Sequence, residues 1–354
     1  MSDENEVNFH GANDYYKKEL EEYGAKLCDK YRSVVKELSQ DKEEKLGWVP
    51  DMAHLGLTKE YDGLECIKRY MDLWHLDEDM NKAFFKLDEE LIEKSHKFHQ
   101  KILQLIFESD QISEYVSSGT GDFVNSLDYQ LITETTKDTR KDKIEKIMDF
   151  GAGYGREANL FTQHPDCKEY TIVEAIEDSY VVQSAYMKMA ADKILNNYVF
   201  HESLLGDLNF TSDTKKLNHL LTFDMDLIPD EYFDLIICSN VLNEITEDAF
   251  VYVIKQIERT LKKGGILYIK DHRLGDQCGH QYYDYDVLES LNFALEYRPF
   301  VEDFKDIWTV PRIYRKYGDN KPSFLTPVKY VRPLLWRQKK LKNLLNGLKR
   351  LTNT

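Results

Sequence analysis

The sequence predicts an α/β protein, with a central and mostly parallel sheet flanked by helices and a helical region before it. Three observations support this fold class. From Ile144 onward, short apolar runs alternate with segments of helix length, which is the pattern of a parallel sheet with helical crossovers. One of these runs ends in three alternating glycines, Gly151, Gly153 and Gly155, which favour a sharp turn from strand to helix. Before residue 115, apolar residues recur at helical spacing instead.

The 354 residues divide into four segments by their composition. Residues 1–115 form a predicted helical accessory region. Turn-forming residues over 117–129 predict a loop, and the charged residues over 131–143 predict a linker or an exposed helix end. We therefore expect a loop and linker at 116–143, over the site. The α/β domain follows at 144–318, and 319–354 is a basic tail with helical spacing.

Within the α/β domain, the order of apolar runs and amphipathic segments predicts the elements individually. Strands are expected at residues 146–150, 170–174, 220–225, 233–238 and 265–270, with two further strands near 293–297 and 308–314. Helices are expected at residues 156–163, 179–195 and 248–261.

Charge restricts the partners. The formal net charge of −16 opposes DNA or RNA, so we expect no nucleic-acid partner. Residues 329–354 differ, because they carry eight Lys or Arg and no acid. Interleaved leucines make this tail a cationic amphipathic helix. Four roles are open for it: contact with a membrane surface, binding of an acidic partner or of the acidic N-terminal helices, recognition of a lipid-linked phosphorylated glycan, or packing on its own domain.

The five cysteines are scattered and form no CxxC pair, which argues against a zinc site and a disulfide framework. The acidic N-terminus lacks the layout of a signal peptide, and no apolar run approaches the ~20 residues that span a bilayer. We therefore expect a cytoplasmic protein.

The glycine turn indicates a cofactor. Asp149 stands directly before the glycines, where its carboxylate would oppose a pyrophosphate but could accept from an ammonium. Arg156 occupies the position at which the dinucleotide fingerprint has its third glycine. S-adenosylmethionine (SAM) carries an ammonium and a sulfonium and no phosphate. Asp149, Gly151, Gly153 and Gly155 therefore favour SAM over NAD.

Further markers follow in order along the chain. Glu174 ends the second predicted strand, where an acid can hold both ribose hydroxyls of a SAM or NAD adenosine. Asp224, Met225 and Asp226 follow the third run, Ser239 ends the fourth, and a Gly-Gly pair precedes the fifth.

These signals resemble class I SAM-dependent methyltransferases over roughly residues 120–315. The resemblance implies a Rossmann-like fold, SAM as cofactor, and cofactor contacts by Ser239 and by Asp224, which would receive the adenine amino group. Met225 would pack on the base, and Asp226 is the competitor of Asp224. Residues 150–156, 173–187 and 239–244 also resemble the proposed sugar O-methyltransferases of bacterial surface-glycan loci. That likeness implies a small, sugar-like acceptor.

A hydroxyl acceptor must lose a proton, which calls for a general base. His272 follows the fifth strand, with Asp271 beside it, at the edge where open α/β sheets bind ligands. We expect His272, Asp271 and Asn240 to be the catalytic residues, although an ordinary loop histidine is an equal alternative for His272. Asn243 and Glu244 are instead expected to cap the next helix.

Acidic and histidine side chains after the fifth strand could hold a cation, but their spacing matches no defined ligand motif, so we expect no metal. They are His272, Asp276, His280, Asp284 and Asp286. Two other functions remain open: a small-molecule N-methyltransferase, which needs no strong base, and a non-catalytic SAM-fold binding protein.

Overall fold

The computed structural model describes residues 87–106, 121–139, 143–175, 177–202, 214–245, 247–272, 287–297 and 309–318. Most of the predicted N-terminal helical region and the whole basic tail lie outside these residues. Their predicted structure and roles stay predictions. No helix in the described part of the chain is both long and apolar enough to cross a membrane.

An eight-stranded sheet forms the centre of the protein, in the order β3-β4-β2-β1-β5-β6-β8-β7. The first six strands of this order pair in parallel, and β8 and β7 are antiparallel. The strands are β1 (Lys146–Phe150), β2 (Glu169–Glu174), β3 (Tyr198–Glu202), β4 (Lys215–Leu221), β5 (Phe233–Ser239), β6 (Leu261–His272), β7 (Phe293–Tyr297) and β8 (Thr309–Lys316). The predicted fold class is confirmed.

Helices cover both faces of the sheet. They are α1 (Glu89–Ile106), α2 (Asp122–Thr139), α3 (Ala158–Phe161), α4 (Glu177–Lys193), α5 (Glu247–Thr260) and α6 (Val287–Ser290). Helices α1 to α4 contribute to one hydrophobic core, which we call the first face. Helices α5 and α6 contribute to a second core on the opposite face. Because side chains alternate along a strand, every described strand except β3 supplies both cores.

Strand β1 lies between β2 and β5, so the direction of the crossovers reverses at this point. In open α/β sheets, ligands bind in the crevice outside the carboxyl ends of the strands at such a reversal. Asp149, Glu174, Ser239 and Lys270 lie at these carboxyl ends. Each is two residues beyond a side chain of the first core, so all four belong to the first face.

The predicted loop over 117–129 is wrong from Asp122 onward, because α2 begins there and continues to Thr139. Phe123, Leu127 and Leu131 recur every four residues and are buried in the first core. Their burial outweighs the weak helix propensity of the glycine, serine and asparagine residues around them. A turn conformation is found directly before the helix, where Gly121 has a φ of 70°.

The strand expected at 220–225 lies further upstream, since β4 ends at Leu221 and a 3-10 turn, Thr222–Leu227, follows. The Asp224 side chain accepts a hydrogen bond from the Leu221 amide at 3.2 Å, which closes this turn. The expected helix at 156–163 is reduced to the single turn of α3. Strand β3 was not predicted; it pairs with β4 alone among the described strands, and Val199 is exposed.

Candidate functional site

The turn after β1 has the backbone that the glycines predict. Gly151, Gly153 and Gly155 adopt φ angles of 68°, 60° and 91°, a region that residues other than glycine rarely enter. A Cβ on Gly151 would also lie 2.2 Å from Cγ2 of Val241, which follows β5. The turn is therefore packed against the neighbouring strand end, and its bare backbone stands at the reversal of the sheet.

Asp149 is buried at the tip of β1 and accepts a hydrogen bond from the hydroxyl of Tyr170 at 2.7 Å. Burial raises the pKa of Asp149 to about 7, although the Tyr170 bond and the charge of Arg156 act in the opposite direction. A cation bound beside such a poorly solvated carboxylate would stabilise its charged form. An ammonium ligand suits this position, whereas a phosphate does not.

Glu174 ends β2 as predicted, and its carboxylate is held from two sides. The amide of Ala175 donates to one oxygen at 2.8 Å, and the side chain of Gln183 donates to the other at 2.7 Å. Gln183 also donates to the carbonyl of Gly153 at 2.6 Å, so it links the glycine turn to the acid. On its other side, Gln183 accepts from His219 at 3.1 Å. Burial lowers the pKa of His219 to about 3, which keeps this ring neutral.

Gln183 was not predicted as a site residue. Its signal in the sequence is weak, because a polar residue on a helix is normally solvated. In the structure Gln183 is buried at the centre of α4. Its contacts fix the two groups that sequence reasoning assigns to the cofactor, Glu174 and the glycine turn.

Asp224 and Met225 are both buried, and Asp224 accepts a hydrogen bond from the Leu221 amide. Met225 belongs to the second core. The competitor Asp226 instead accepts hydrogen bonds from Tyr252 and Gln256 of α5 at 3.2 and 3.1 Å. The adenine contacts of Asp224 and Met225 stay predictions.

The end of β5 carries two predicted site residues. The hydroxyl of Ser239 accepts a hydrogen bond from Arg156 at 2.8 Å. Asn240 adopts a φ of 55°, and its amide donates to the carbonyl of Lys270 at 2.6 Å. Its side-chain oxygen is buried without a hydrogen-bond partner among the described residues. Both polar atoms of Asn243 are likewise unpartnered within that part of the chain, so the predicted capping bond of Asn243 is not seen.

Asp271 and His272 are the last residues of β6 and pair in register with Val310 and Thr309 of β8. Asp271 is buried. The side chain of His272 lies outside the described residues, as do the other residues of the expected cation cluster. Among the side chains that the structure does describe, no group of three or more His, Cys, Asp or Glu could hold a metal ion.

A buried charge network lies next to these residues and was not predicted. Asp128 of α2 accepts from Arg156 at 3.0 Å and from the hydroxyl of Tyr268 at 2.5 Å, and it pairs with Lys270 at 3.3 Å. Arg156 also pairs with Glu157 at 2.5 Å. Burial alone would raise the pKa of Asp128, but the charges of Lys270 and Arg156 outweigh it and hold that pKa below its ordinary value. This network fixes α2 over the end of β6.

A second polar cluster joins α1 to α2. Asp122 lies 2.8 Å from Nδ1 of His96 and 2.6 Å from Nδ1 of His99. The hydroxyl of Ser95 lies 2.8 Å from the same carboxylate, and Asn159 donates to the carbonyl of Ser95 at 2.9 Å. Nothing in the sequence predicts this cluster. Both histidines lie in a segment that reads as an ordinary amphipathic helix.

Comparison with known proteins finds one family model and several solved structures. A family model described as a methyltransferase domain matches residues 141–293. No curated protein matches the chain. Several solved structures are similar over about half of the chain, and the sheet order described above identifies the fold independently of them. They are the N-methyltransferase NodS from Bradyrhizobium japonicum (17% identity, TM-score 0.37, 54% of this chain and 95% of that one), the arsenic(III) SAM methyltransferase CrArsM from Chlamydomonas reinhardtii (17%, 0.34, 52% and 70%), and the cyclase SpnF (15%, 0.38, 55% and 82%).

The residues at the reversal of the sheet fit SAM. The acid at the tip of β1 suits an ammonium, the turn exposes backbone with the required positive φ angles, and Glu174 is fixed at the tip of β2. Together with the family match over residues 141–293, these features identify a SAM-dependent methyltransferase.

Proposed function

We propose that this methyltransferase acts on a hydroxyl group of a small molecule, and that the acceptor is a sugar or a glycan precursor. The resemblance of residues 150–156, 173–187 and 239–244 to sugar O-methyltransferases supports the acceptor class. The net charge of −16 disfavours a nucleic acid as the acceptor. We place the reaction in the cytoplasm, which agrees with the free, buried thiols of Cys167 and Cys238.

When bound, SAM supplies an activated methyl group on its sulfonium. The protein has to hold the cofactor and align the acceptor with that group. In our proposal Asp149 receives the ammonium, Glu174 binds the ribose hydroxyls, and Asp224 receives the adenine amino group while Met225 packs on the base. Ser239, which already accepts from Arg156, borders the cofactor at the end of β5.

The single observation that carries the cofactor half of the proposal is the linkage through Gln183. One amide nitrogen donates both to the carbonyl of Gly153 and to the carboxylate of Glu174, at 2.6 and 2.7 Å. This arrangement sets the spacing between the glycine turn and the acid before any ligand arrives. Such preorganisation reduces the free energy that ligand binding would otherwise lose in ordering the site.

The acceptor half of the proposal places Asn240, Asp271 and His272 beside the acceptor molecule. Asn240 directly follows β5, and Asp271 and His272 end β6. These two strands are parallel neighbours, so the three backbones lie at one edge of the sheet. The left-handed conformation of Asn240 agrees with a functional position, because such strain concentrates at ligand sites. His272 is the base expected from its position in the sequence. If His272 is that base, His272→Ala lowers turnover with little change in SAM affinity, and unchanged turnover removes His272 from this role.

The direct test incubates the purified protein with SAM labelled with tritium on its methyl group and a small-molecule extract of cytosol, and then identifies the labelled product. We expect label in an ether linkage to a sugar or glycan precursor. Label on nitrogen would support the alternative of a small-molecule N-methyltransferase. Binding of SAM in calorimetry without any labelled product would support a non-catalytic binding protein.

A further inference from the structure

His99 of α1 has the contacts of a general base. Its Nδ1 lies 2.6 Å from a carboxylate oxygen of Asp122, and its side chain is 1% exposed. A carboxylate can only accept hydrogen bonds, so the hydrogen must be on Nδ1 of His99. In the neutral ring, Nε2 then carries a free electron pair. Asp122 thereby selects the tautomer that can take a proton at Nε2.

Nε2 of His99 has no hydrogen-bond partner among the residues that the structure describes. Leaving such an atom buried destabilises the protein unless a ligand or water satisfies it. His96, which binds the other oxygen of Asp122, differs in this respect. Its Nε2 lies 2.7 Å from the side-chain amide of Gln100, and its side chain is 33% exposed. Of these two histidines on one carboxylate, only His99 keeps an unused basic nitrogen in the interior.

His99 belongs to a group of three rings next to the glycine turn. Its ring centroid lies 5.9 Å from that of Tyr154 and 6.2 Å from that of Tyr186, and these two tyrosines are 5.8 Å apart. Tyr154 stands in the turn itself, between Gly153 and Gly155. The three rings therefore connect the base on α1 directly to the segment that holds the cofactor.

Tyr186 of α4 offers the complementary atom. Its hydroxyl is buried and has no hydrogen-bond partner within the described residues. Burial raises the pKa of Tyr186 well above its ordinary value, so the hydroxyl keeps its hydrogen and can donate it. An alcohol both donates and accepts a hydrogen bond. It can donate to Nε2 of His99 and accept from Tyr186, and so satisfy two buried atoms at once.

We propose that the acceptor hydroxyl binds between His99 and Tyr186, and that His99, oriented by Asp122, is the catalytic base of methyl transfer. This inference rests on the proposed O-methylation and replaces His272 as the base. The acceptor oxygen forms a bond to the methyl carbon, the carbon–sulfur bond breaks and leaves its electron pair on sulfur, and the hydroxyl proton passes to Nε2. The imidazolium that results is stabilised by the Asp122 carboxylate.

The first measurement needs no acceptor. Protein labelled with 15N-histidine and saturated with S-adenosylhomocysteine is studied by long-range 1H–15N NMR, and the His99 signals are identified by their loss in His99→Phe. We expect a neutral ring with its hydrogen on Nδ1. A ring with its hydrogen on Nε2 would overturn the proposal, because that nitrogen could not accept a proton.

The second measurement compares variants in the labelled-methyl assay with the cytosolic extract. His99→Phe keeps a planar ring and should lower kcat by about 100-fold or more, with little change in affinity for S-adenosylhomocysteine. Asp122→Asn should also lower kcat, because a neutral amide does not stabilise the imidazolium. His96→Phe is the matched control, since it removes the other imidazole on the same carboxylate, and it should leave turnover close to that of the unmodified protein.

The outcomes separate this inference from the proposed function. If the O-methylated product forms equally fast with His99→Phe, the base is elsewhere and the proposed function stands. An equal loss in His99→Phe and His96→Phe, or a loss that follows cofactor affinity, assigns His99 a structural role and refutes the proposal. If label appears only on nitrogen or not at all, the proposed function fails, and the assignment of His99 fails with it.

Discussion

The glycine turn offers the sharpest test of the packing around the cofactor site, through Gly151→Ala. Two separate costs are expected. A non-glycine residue at a φ of 68° costs about 1–2 kcal/mol. The new Cβ would lie 2.2 Å from Cγ2 of Val241, and overpacking of this kind costs about 1–3 kcal/mol more. The free energy of unfolding, measured in urea, should therefore fall by about 2–5 kcal/mol.

Gly264 provides the matched control. It has a φ of 77°, and a Cβ there would meet no atom of the described residues within 4 Å. Gly264→Ala should therefore show only the backbone cost. In a double-mutant cycle, adding Val241→Ala to Gly151→Ala should recover part of the stability that Gly151→Ala loses beyond the backbone cost. If Gly151→Ala and Gly264→Ala cost the same, or if Val241→Ala recovers nothing, the turn is not packed as described.

Three further predictions concern charges in and around the site. Burial raises the pKa of Asp149 to about 7, so its carboxylate becomes protonated below that pH. The calorimetric affinity for S-adenosylhomocysteine should therefore fall by up to about tenfold per pH unit below that value. Asp149→Asn should remove this pH dependence. Glu174→Ala should weaken the same binding by about 1–3 kcal/mol, and Gln183→Ala by less; unchanged affinity in Glu174→Ala would contradict the ribose role. Asp128→Asn should lower the free energy of unfolding by about 3–5 kcal/mol, with partial recovery on adding Lys270→Met; no measurable loss would show that the buried network does not hold α2.

The cofactor half of the site could be read from the sequence because its signals are local. Gly151, Gly153 and Gly155 follow a buried strand directly, and Asp149 and Glu174 end strands whose apolar runs are continuous. Parallel strands bring their carboxyl ends to one edge of the sheet, so position along the chain is enough to place these residues. The structure has all of them at that edge.

The other half could not be read in this way, because it depends on contacts between distant residues. Asp128 meets Lys270 across 142 positions of the chain. The start of the helix that carries Asp128 was predicted as a loop, since the glycines before it and its own asparagine and serine resemble a turn, and its burial is decided by the sheet beneath it. Lys270 could have indicated a buried ion pair, because a lysine within an otherwise apolar strand needs a buried partner. Its partner could still not have been named.

The two clusters that were missed have one feature in common: each is completed by a helix from before the first strand. Asp122 and Asp128 lie on α2, and His99 lies on α1, whereas the family match begins at residue 141. The matched stretch therefore supplies the glycine turn and Glu174, which cofactor binding requires whatever the acceptor is. The helices before it supply buried acids and an unused basic nitrogen on the same face of the sheet. On the proposed assignment of His99, cofactor binding and deprotonation of the acceptor are encoded in different parts of the chain. Substitution of His99 should therefore lower turnover while leaving SAM affinity in place.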